Sequence, residues 1–185
     1  AFTFLGTEFT TSGLTGSDAV SSVTLTSSAV NSTADVNGSP YTINPSAASG
    51  TGLGNYTISY ANGSFTVTKA SLAISADNKT KAYNSVNPAL TYTITGFANS
   101  ETDAVIDVLP ISSTTALQDS PVGVYPITVT GGSDNNYTLV FIDGTLTVTK
   151  IDQTLSFTAL PEKLLVKDSY TLAASSTSTL PVSFE

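Results

Sequence analysis

The chain has no cysteine, histidine, tryptophan, methionine or arginine, so every one of its six basic residues is a lysine. Without cysteine and histidine it cannot form a thiol or imidazole nucleophile, a Ser-His-Asp triad, a Cys/His zinc site or the usual haem and iron–sulfur ligation. Its 14 acidic residues outnumber the lysines and give a net charge of −8. That charge opposes binding to nucleic acid and to anionic lipid, because both depend on Lys and Arg. We therefore expect no enzyme, no resident cofactor and no nucleic-acid partner.

Long apolar runs are lacking as well, since none approaches the roughly 18 residues that a membrane span requires. What the 185 residues do contain is 40% hydrophobic residues, which is enough for small folded cores. The abundant Thr, Val, Tyr, Phe and Ile favour strands, whereas Ala-, Leu- and Glu-rich helical stretches are missing. The composition therefore predicts an all-β protein.

An internal repeat organises the chain. Residues 55–70 (NYTISYANGSFTVTKA) and 136–151 (NYTLVFIDGTLTVTKI) align without a gap, and the similarity continues upstream. Repetition of this kind indicates tandem modules. We predict three of them: residues 1–70, which lack the first strand of the unit; residues 71–151, a complete unit; and residues 152–185, the N-terminal part of a third module.

Each unit shows the period-two alternation of half-buried strands. Near the end of each unit, Asn62-Gly63 and Asp143-Gly144 separate two alternating runs, and such dipeptides predict a tight hairpin. Seven or so short strands in about 80 residues predict an immunoglobulin-like β-sandwich, with such modules arranged end to end. The remaining predicted strands are Leu72–Ala76, Ala89–Thr95, Val105–Ile111, Val124–Thr130, Thr154–Phe157, Tyr170–Ala174 and Val182–Phe184.

Several longer motifs carry a family resemblance. GSPYTINPSAASGTGLGNYTISY and NGSFTVTKA in residues 2–69, and NPALTYTITGF, PVGVYPITV and DGTLTVTK in residues 71–150, resemble the MBG-type repeat of large bacterial surface adhesins. One form of that repeat carries Lys-x-Tyr-Gly. Here it reads Lys81-Ala82-Tyr83-Asn84, and Asn is among the residues that best tolerate positive φ. The resemblance implies Ig-like modules of an extended, secreted, cell-surface protein. The family has no agreed catalytic residues that could be assigned to positions of this chain.

Carboxylates and tyrosines are the remaining candidates for chemistry. Glu101, Asp103 and Asp107 lie close in the sequence and could act as an acid–base pair or bind calcium, but we interpret them as a solvated loop. Exposed tyrosines could stack on sugars. Because Tyr56 and Tyr137 occupy equivalent positions of the repeat, we predict a structural role for both.

A calcium site is the one metal-binding alternative that the residues leave open. Asp134, Asn135 and Asp143 offer the hard oxygen ligands that Ca²⁺ prefers, and calcium often stiffens modules joined end to end. None of them falls in the spacing of an EF-hand loop. Turn formation is therefore our default interpretation of these side chains, and we expect no cofactor.

The module junctions are short. Lys69-Ala70-Ser71 leaves about one residue between the last strand of one module and the first of the next, and Lys150-Ile151 repeats this arrangement. A join of this length restricts bending, whereas long Gly/Ser-rich linkers are flexible. We interpret both lysines as boundary residues with an apolar stem and a hydrated head.

These features predict a structural role: the stalk or spacer of a secreted or cell-surface bacterial adhesin or fibre, which projects a distal binding region. Its partners would be the neighbouring Ig-like repeats of the same chain. Two alternatives remain open. One is an Ig-like module that binds a glycan or a surface directly, and the other is a fibre subunit that polymerises by strand complementation.

Overall fold

Residues 3–30, 34–159, 171–178 and 181–183 are described by a computed structural model, and the account below concerns them alone. These residues form strands and short 3₁₀ turns, at Val36–Gly38, Leu53–Asn55 and Asp103–Val105, with no α-helix among them and hence none long enough to cross a membrane. The all-β prediction is confirmed. The strands are β1 (Ala19–Thr26), β2 (Tyr41–Thr51), β3 (Gly63–Phe65), β4 (Ala70–Ala76), β5 (Lys79–Ala82), β6 (Tyr92–Thr95), β7 (Ile111–Thr114), β8 (Gly123–Thr130), β9 (Tyr137–Ile142), β10 (Gly144–Thr149), β11 (Leu155–Phe157) and β12 (Ala174–Ser176).

The second repeat is a two-sheet sandwich. One sheet has the order β6-β4-β9 and the other β5-β10-β8-β7. Ile74 of the first sheet meets Ile127, Val129 and Leu146 of the second in one buried cluster, and each of these side chains is at most 2% exposed. Both sheets are mixed, because β4 pairs with β9 and β5 pairs with β10 in parallel. Burial of these aliphatic side chains supplies most of the stabilisation.

Strand β4 is the central strand of its sheet. It pairs antiparallel with β6 and parallel with β9, and its alternating residues Leu72 and Ile74 are completely buried. The sequence prediction of Leu72–Ala76 is confirmed within β4. A strand paired on both sides and buried on one face holds the sandwich together, since it satisfies its own backbone and fills the core at once.

The predicted terminal hairpin is wrong in both repeats. In the second repeat, β9 lies in the three-stranded sheet and β10 in the four-stranded sheet, so Asp143-Gly144 carries the chain from one sheet to the other. A Cβ on Gly144 would lie 2.6 Å from the carbonyl oxygen of Ala76, so close packing explains this glycine. In the first repeat, β3 pairs with β2, and residues 57–62 form no strand.

Two strand predictions in the second repeat need correction. Val105–Ile111 is wrong as a strand: Asp103–Val105 is a 3₁₀ turn, Val108 makes a single bridge to Ser133, and β7 begins only at Ile111. Pro110 has no N–H to donate to a ladder. Predicted Ala89–Thr95 shortens to β6, whereas Val124–Thr130 is confirmed within β8.

The first repeat has a thinner core than the second. Its three strands form one sheet in the order β1-β2-β3, and the buried apolar residues among its described positions are Val23 and Ala29. The counterparts of the buried Leu146 and Val148 are Phe65 and Val67, which are only half-buried. The two repeats are therefore similar in sequence but differ in how completely their cores are filled.

The described residues beyond the second repeat include a two-stranded antiparallel sheet. Strand β11 confirms the predicted Thr154–Phe157 and pairs antiparallel with β12. Strand β12 begins where the predicted Tyr170–Ala174 ends, so that prediction is misplaced by several residues. Tyr170 itself and the end of the predicted Val182–Phe184 lie outside the described residues, and the described residues 181–183 are not a strand.

Candidate functional site

The contact between the two repeats begins at the predicted junction. Strand β3 ends at Phe65 and β4 begins at Ala70, so four residues without strand structure, and not the predicted one, separate the two strands. The Ala70 N–H donates to the Asn136 carbonyl oxygen at 3.0 Å, and the exposed Lys69 donates from Nζ to the Asp134 carbonyl oxygen at 2.8 Å. The first residues after the first repeat are therefore bonded directly to the turn that precedes β9.

Asn136 joins the two repeats through its side chain. Its Nδ2 donates to Asp35 Oδ1 at 2.9 Å, and its Oδ1 accepts from the Val36 N–H at 2.9 Å. One amide thus donates to and accepts from adjacent residues of the first repeat, about 100 positions away in the chain. The bond to the carboxylate is charge-assisted and is the stronger of the two. We call this set of residues (Asp35, Val36, Lys69, Asp134 and Asn136) the junction cluster.

Asp134 holds the turn on which Asn136 sits. Its side chain is buried, and Oδ1 accepts from the N–H groups of Asn136 and Tyr137 at 2.7 and 2.8 Å. This is the local side-chain to backbone bonding that makes Asp a turn former. The turn places the Asn136 amide against the first repeat, so Asp134 orients the residue that makes the contact.

The calcium candidates are not brought together. Asp134 and Asn135 precede β9 and Asp143 follows it, so the length of a six-residue strand, about 20 Å, separates them. Asn135 donates from both N and Nδ2 to Asp107 Oδ2, at 3.0 and 2.8 Å. Within the ranges that the structure describes, no group of three or more Asp or Glu side chains is arranged to hold a metal ion.

Two of the three acidic residues at 101–107 have separate hydrogen-bond partners. Glu101 accepts a hydrogen bond from the Tyr137 hydroxyl, Asp107 accepts from Asn135, and Asp103 opens a 3₁₀ turn. Glu101 and Asp107 are thus bonded to different side chains, whereas an acid–base pair requires two carboxylates held together in a cleft. The hydrogen bonds of Glu101 and Asp107 order the loop that carries these residues.

Each repeat contains a tyrosine clamp at equivalent positions. The Tyr137 hydroxyl donates to Glu101 and accepts from the Ala98 N–H at 3.0 Å. The Tyr56 hydroxyl donates to Asp18 at 2.8 Å and accepts from the Thr15 N–H at 3.0 Å. Burial, and then the bond to Glu101, raises the pKa of Tyr137 above its ordinary value.

Lys81 is a structurally important residue that the sequence analysis did not single out for a role. Its side chain is only 6% exposed, and Nζ donates to the carbonyl oxygens of Ser85, Leu117 and Gln118 at 3.0, 2.6 and 3.0 Å. Lys81 is the lysine of the Lys-x-Tyr-Asn motif, and this motif could have indicated a structural role for it. In contrast, Lys150 and Ile151, predicted at the second junction, are exposed.

A protein-family comparison accounts for the repeat pattern. The model of the MBG domain of the YGX type matches residues 3–66 and again residues 72–147. The chain belongs to the MBG domain family. It is thus built from a repeat module of large surface proteins, and the two matched copies confirm the resemblance seen in the motifs. No curated protein and no solved structure matches the chain.

The family motif is altered at its turn. In the MBG repeat of residues 72–147, Tyr83 is followed by Asn84, which has φ = 62°. This is the left-handed region, which Gly adopts without strain and Asn tolerates better than most residues. Asn84 therefore preserves the turn at the position where the motif has Gly.

Proposed function

We propose that the chain is a non-catalytic stalk or spacer segment of a secreted or cell-surface bacterial protein, with its MBG repeats coupled end to end. The observation that carries the proposal is the two-way hydrogen bond of Asn136 with Asp35 and Val36. A spacer that transmits position has to resist bending between modules, and this contact adds to the restriction that the short join imposes.

The distribution of polar groups supports the same role. Glu101 and Asp107 are each bonded to a neutral side chain of the same repeat and do not form a reactive pair. The half-exposed Tyr60 and Tyr83 belong to different repeats and offer no shared platform for a sugar. Because the net charge is −8, copies of such a segment repel one another and stay soluble.

Distances between the repeats test this proposal. The chain has no cysteine, so spin labels attach only at introduced cysteines. We would label the exposed positions of Ser22→Cys and Thr80→Cys, one in each repeat, and measure the distance distribution by pulsed electron paramagnetic resonance. Thr80→Cys with Thr138→Cys is the control pair inside the second repeat.

We expect a narrow distribution between the repeats, which Asn136→Ala broadens while the control pair stays narrow. Asn135→Ala is the matched control variant, because its bonds to Asp107 lie within the second repeat. A distribution between repeats as broad as that of a flexible linker, in the unaltered chain, would refute the proposal.

A further inference from the structure

The second repeat begins and ends in two segments that run side by side. Strand β4 pairs in parallel with β9, starting at Ala70↔Tyr137, and β5 pairs in parallel with β10, starting at Lys79↔Leu146. In both ladders the partner lies 67 positions later in the chain. The segment β4–β5 and the segment β9–β10 therefore form one parallel pair in a single register, which we call the terminal pair.

The terminal pair is continuous where it changes from the smaller sheet to the larger one. At this change, the N–H and Oγ1 of Thr145 donate to Asn78 Oδ1 at 2.8 and 3.1 Å. At the start and the end of the pair, the N–H groups of Ala70 and Tyr83 donate to carbonyl oxygens of the partner segment at 3.0 and 2.9 Å. About 13 residues in each segment give the pair a length of roughly 40 Å.

Tension along the chain loads this pair in shear. The chain enters the repeat at Ala70, the first residue of β4, and leaves after Thr149, the last residue of β10. These are opposite ends of a parallel pair, so tension pulls the two segments past each other along their common axis. The hydrogen bonds of a pair in shear are strained together, whereas a pair opened from one end loses them one at a time.

The core also opposes sliding of the terminal pair. Leu72 and Ile74 of β4, and Leu146 and Val148 of β10, are at most 1% exposed. A slip by one residue would turn each of these side chains to the other face of its sheet. Strand β4 is also paired with β6 and β10 with β8, so neither lies at a sheet edge. Lys81 further ties β5 to the loop before β8.

We propose that the terminal pair bears mechanical load, so that the second repeat carries tension between its neighbours without unfolding. Its resistance depends on direction: it is high along the pair and low where the pair is opened from one end. Forced unfolding is governed by the barrier to unfolding and not by equilibrium stability. The inference goes beyond the stalk function, because a repeat resists tension whether or not the joint before it is stiff.

Single-molecule force spectroscopy on the whole chain tests this dependence on direction. The chain has no cysteine, so handles attach only at introduced cysteines. Ala70→Cys with Lys150→Cys, both at exposed positions, loads the terminal pair in shear. Val86→Cys with Lys150→Cys places both handles near the end where β5 and β10 finish, and opens the pair from that end.

We expect the shear direction to require at least about twofold more force at the same loading rate, because several hydrogen bonds have to break together. Asn78→Ala removes the bonds from Thr145 at the change of sheet, and it should lower the force in the shear direction. Ser113→Ala is the matched control and should leave that force unchanged. The hydroxyl of Ser113 bonds to that of Thr128, which joins β7 to β8 outside the terminal pair.

Two results would overturn the proposal. One is an equal unfolding force in the two directions, and the other is an effect of Ser113→Ala as large as that of Asn78→Ala. The comparison of directions alters only exposed positions, so it decides the question even where Asn78→Ala fails to fold. A broad distance distribution between the spin labels would refute the stiff joint proposed above and would leave the load-bearing pair unaffected.

Discussion

Replacing Lys81 by Met tests whether a buried ammonium group organises the loops at one end of the second repeat. The side chain is 6% exposed, and its three acceptors are carbonyl oxygens on two different loops. Met has a similar length and keeps the apolar stem packed, but it donates no hydrogen bond. The substitution therefore removes the bonds while nearly conserving volume.

The magnitude follows from what each bond contributes. Hydrogen bonds that involve a charged group contribute about 1.5–3 kcal/mol each. The three do not add, because Ser85, Leu117 and Gln118 are exposed residues and their carbonyl groups can regain water. The ammonium group also no longer pays its desolvation cost. We expect a net loss of about 2–3 kcal/mol, which lowers the midpoint of a domain of this size by roughly 10–20 °C.

Lys79→Met is the matched control on the same strand. Lys79 lies two residues away on β5, and its ion pair with Asp77 is long, at 3.9 Å, between partly exposed side chains. Such a pair contributes at most about 1 kcal/mol. The assay is urea unfolding followed at the amide resonances of β8 and β10, which report on the second repeat alone. If both lysine variants unfold at the same urea concentration, the three bonds do not organise the loops and the reasoning fails.

Four further predictions concern the junction, the core, the turn at Asn84 and the hydroxyl of Tyr137. Asn136→Ala should weaken the coupling between repeats by about 1–2 kcal/mol, measured in a double-mutant cycle with Asp35→Ala, and a coupling near zero would contradict the assigned contact. Ile74→Ala should cost the second repeat about 2–5 kcal/mol in chemical unfolding, against less than about 1 kcal/mol for the exposed Val86→Ala. Asn84→Gly should leave thermal stability unchanged or raised, whereas Asn84→Val should lower it by about 1–2 kcal/mol because of φ = 62°. The pKa of the Tyr137 hydroxyl is raised in the folded state. Its contribution to the free energy of unfolding is therefore complete below the pKa in the unfolded chain, about 10, and declines as pH rises through the folded value. In thermal unfolding, Tyr137→Phe should lose less stability between about pH 9 and 12 than the unaltered chain does.

The sequence predicted where the strands lie better than which strands pair with one another. Period-two alternation identified Leu72–Ala76 because Leu72 and Ile74 are both fully buried. The same alternation suggested a hairpin at Asp143-Gly144, where the chain in fact crosses between sheets. Alternation reports which face of a strand is buried. It does not distinguish a partner beside the strand from one across the core.

The site was predictable in part. Lys69, Ala70 and Ser71 were identified as the junction from the repeat spacing alone, and two of them make hydrogen bonds to the second repeat. The residues they meet were not predictable, because Asn136 contacts Asp35 across about 100 positions of the chain. Lys81 was missed for the same reason: its partners at Leu117 and Gln118 come from a distant loop.

The coupling at the junction follows from the position of β4. The strand begins at the first residue after Lys69, yet it is the central strand of the second repeat's smaller sheet. A displacement of the first repeat therefore pulls on a strand that pairs with both β6 and β9. The bonds of the junction cluster resist this pull at the same end of β9, through Asn136 and the Ala70 N–H. The second repeat is therefore coupled to the first because its core strand starts at the boundary between them.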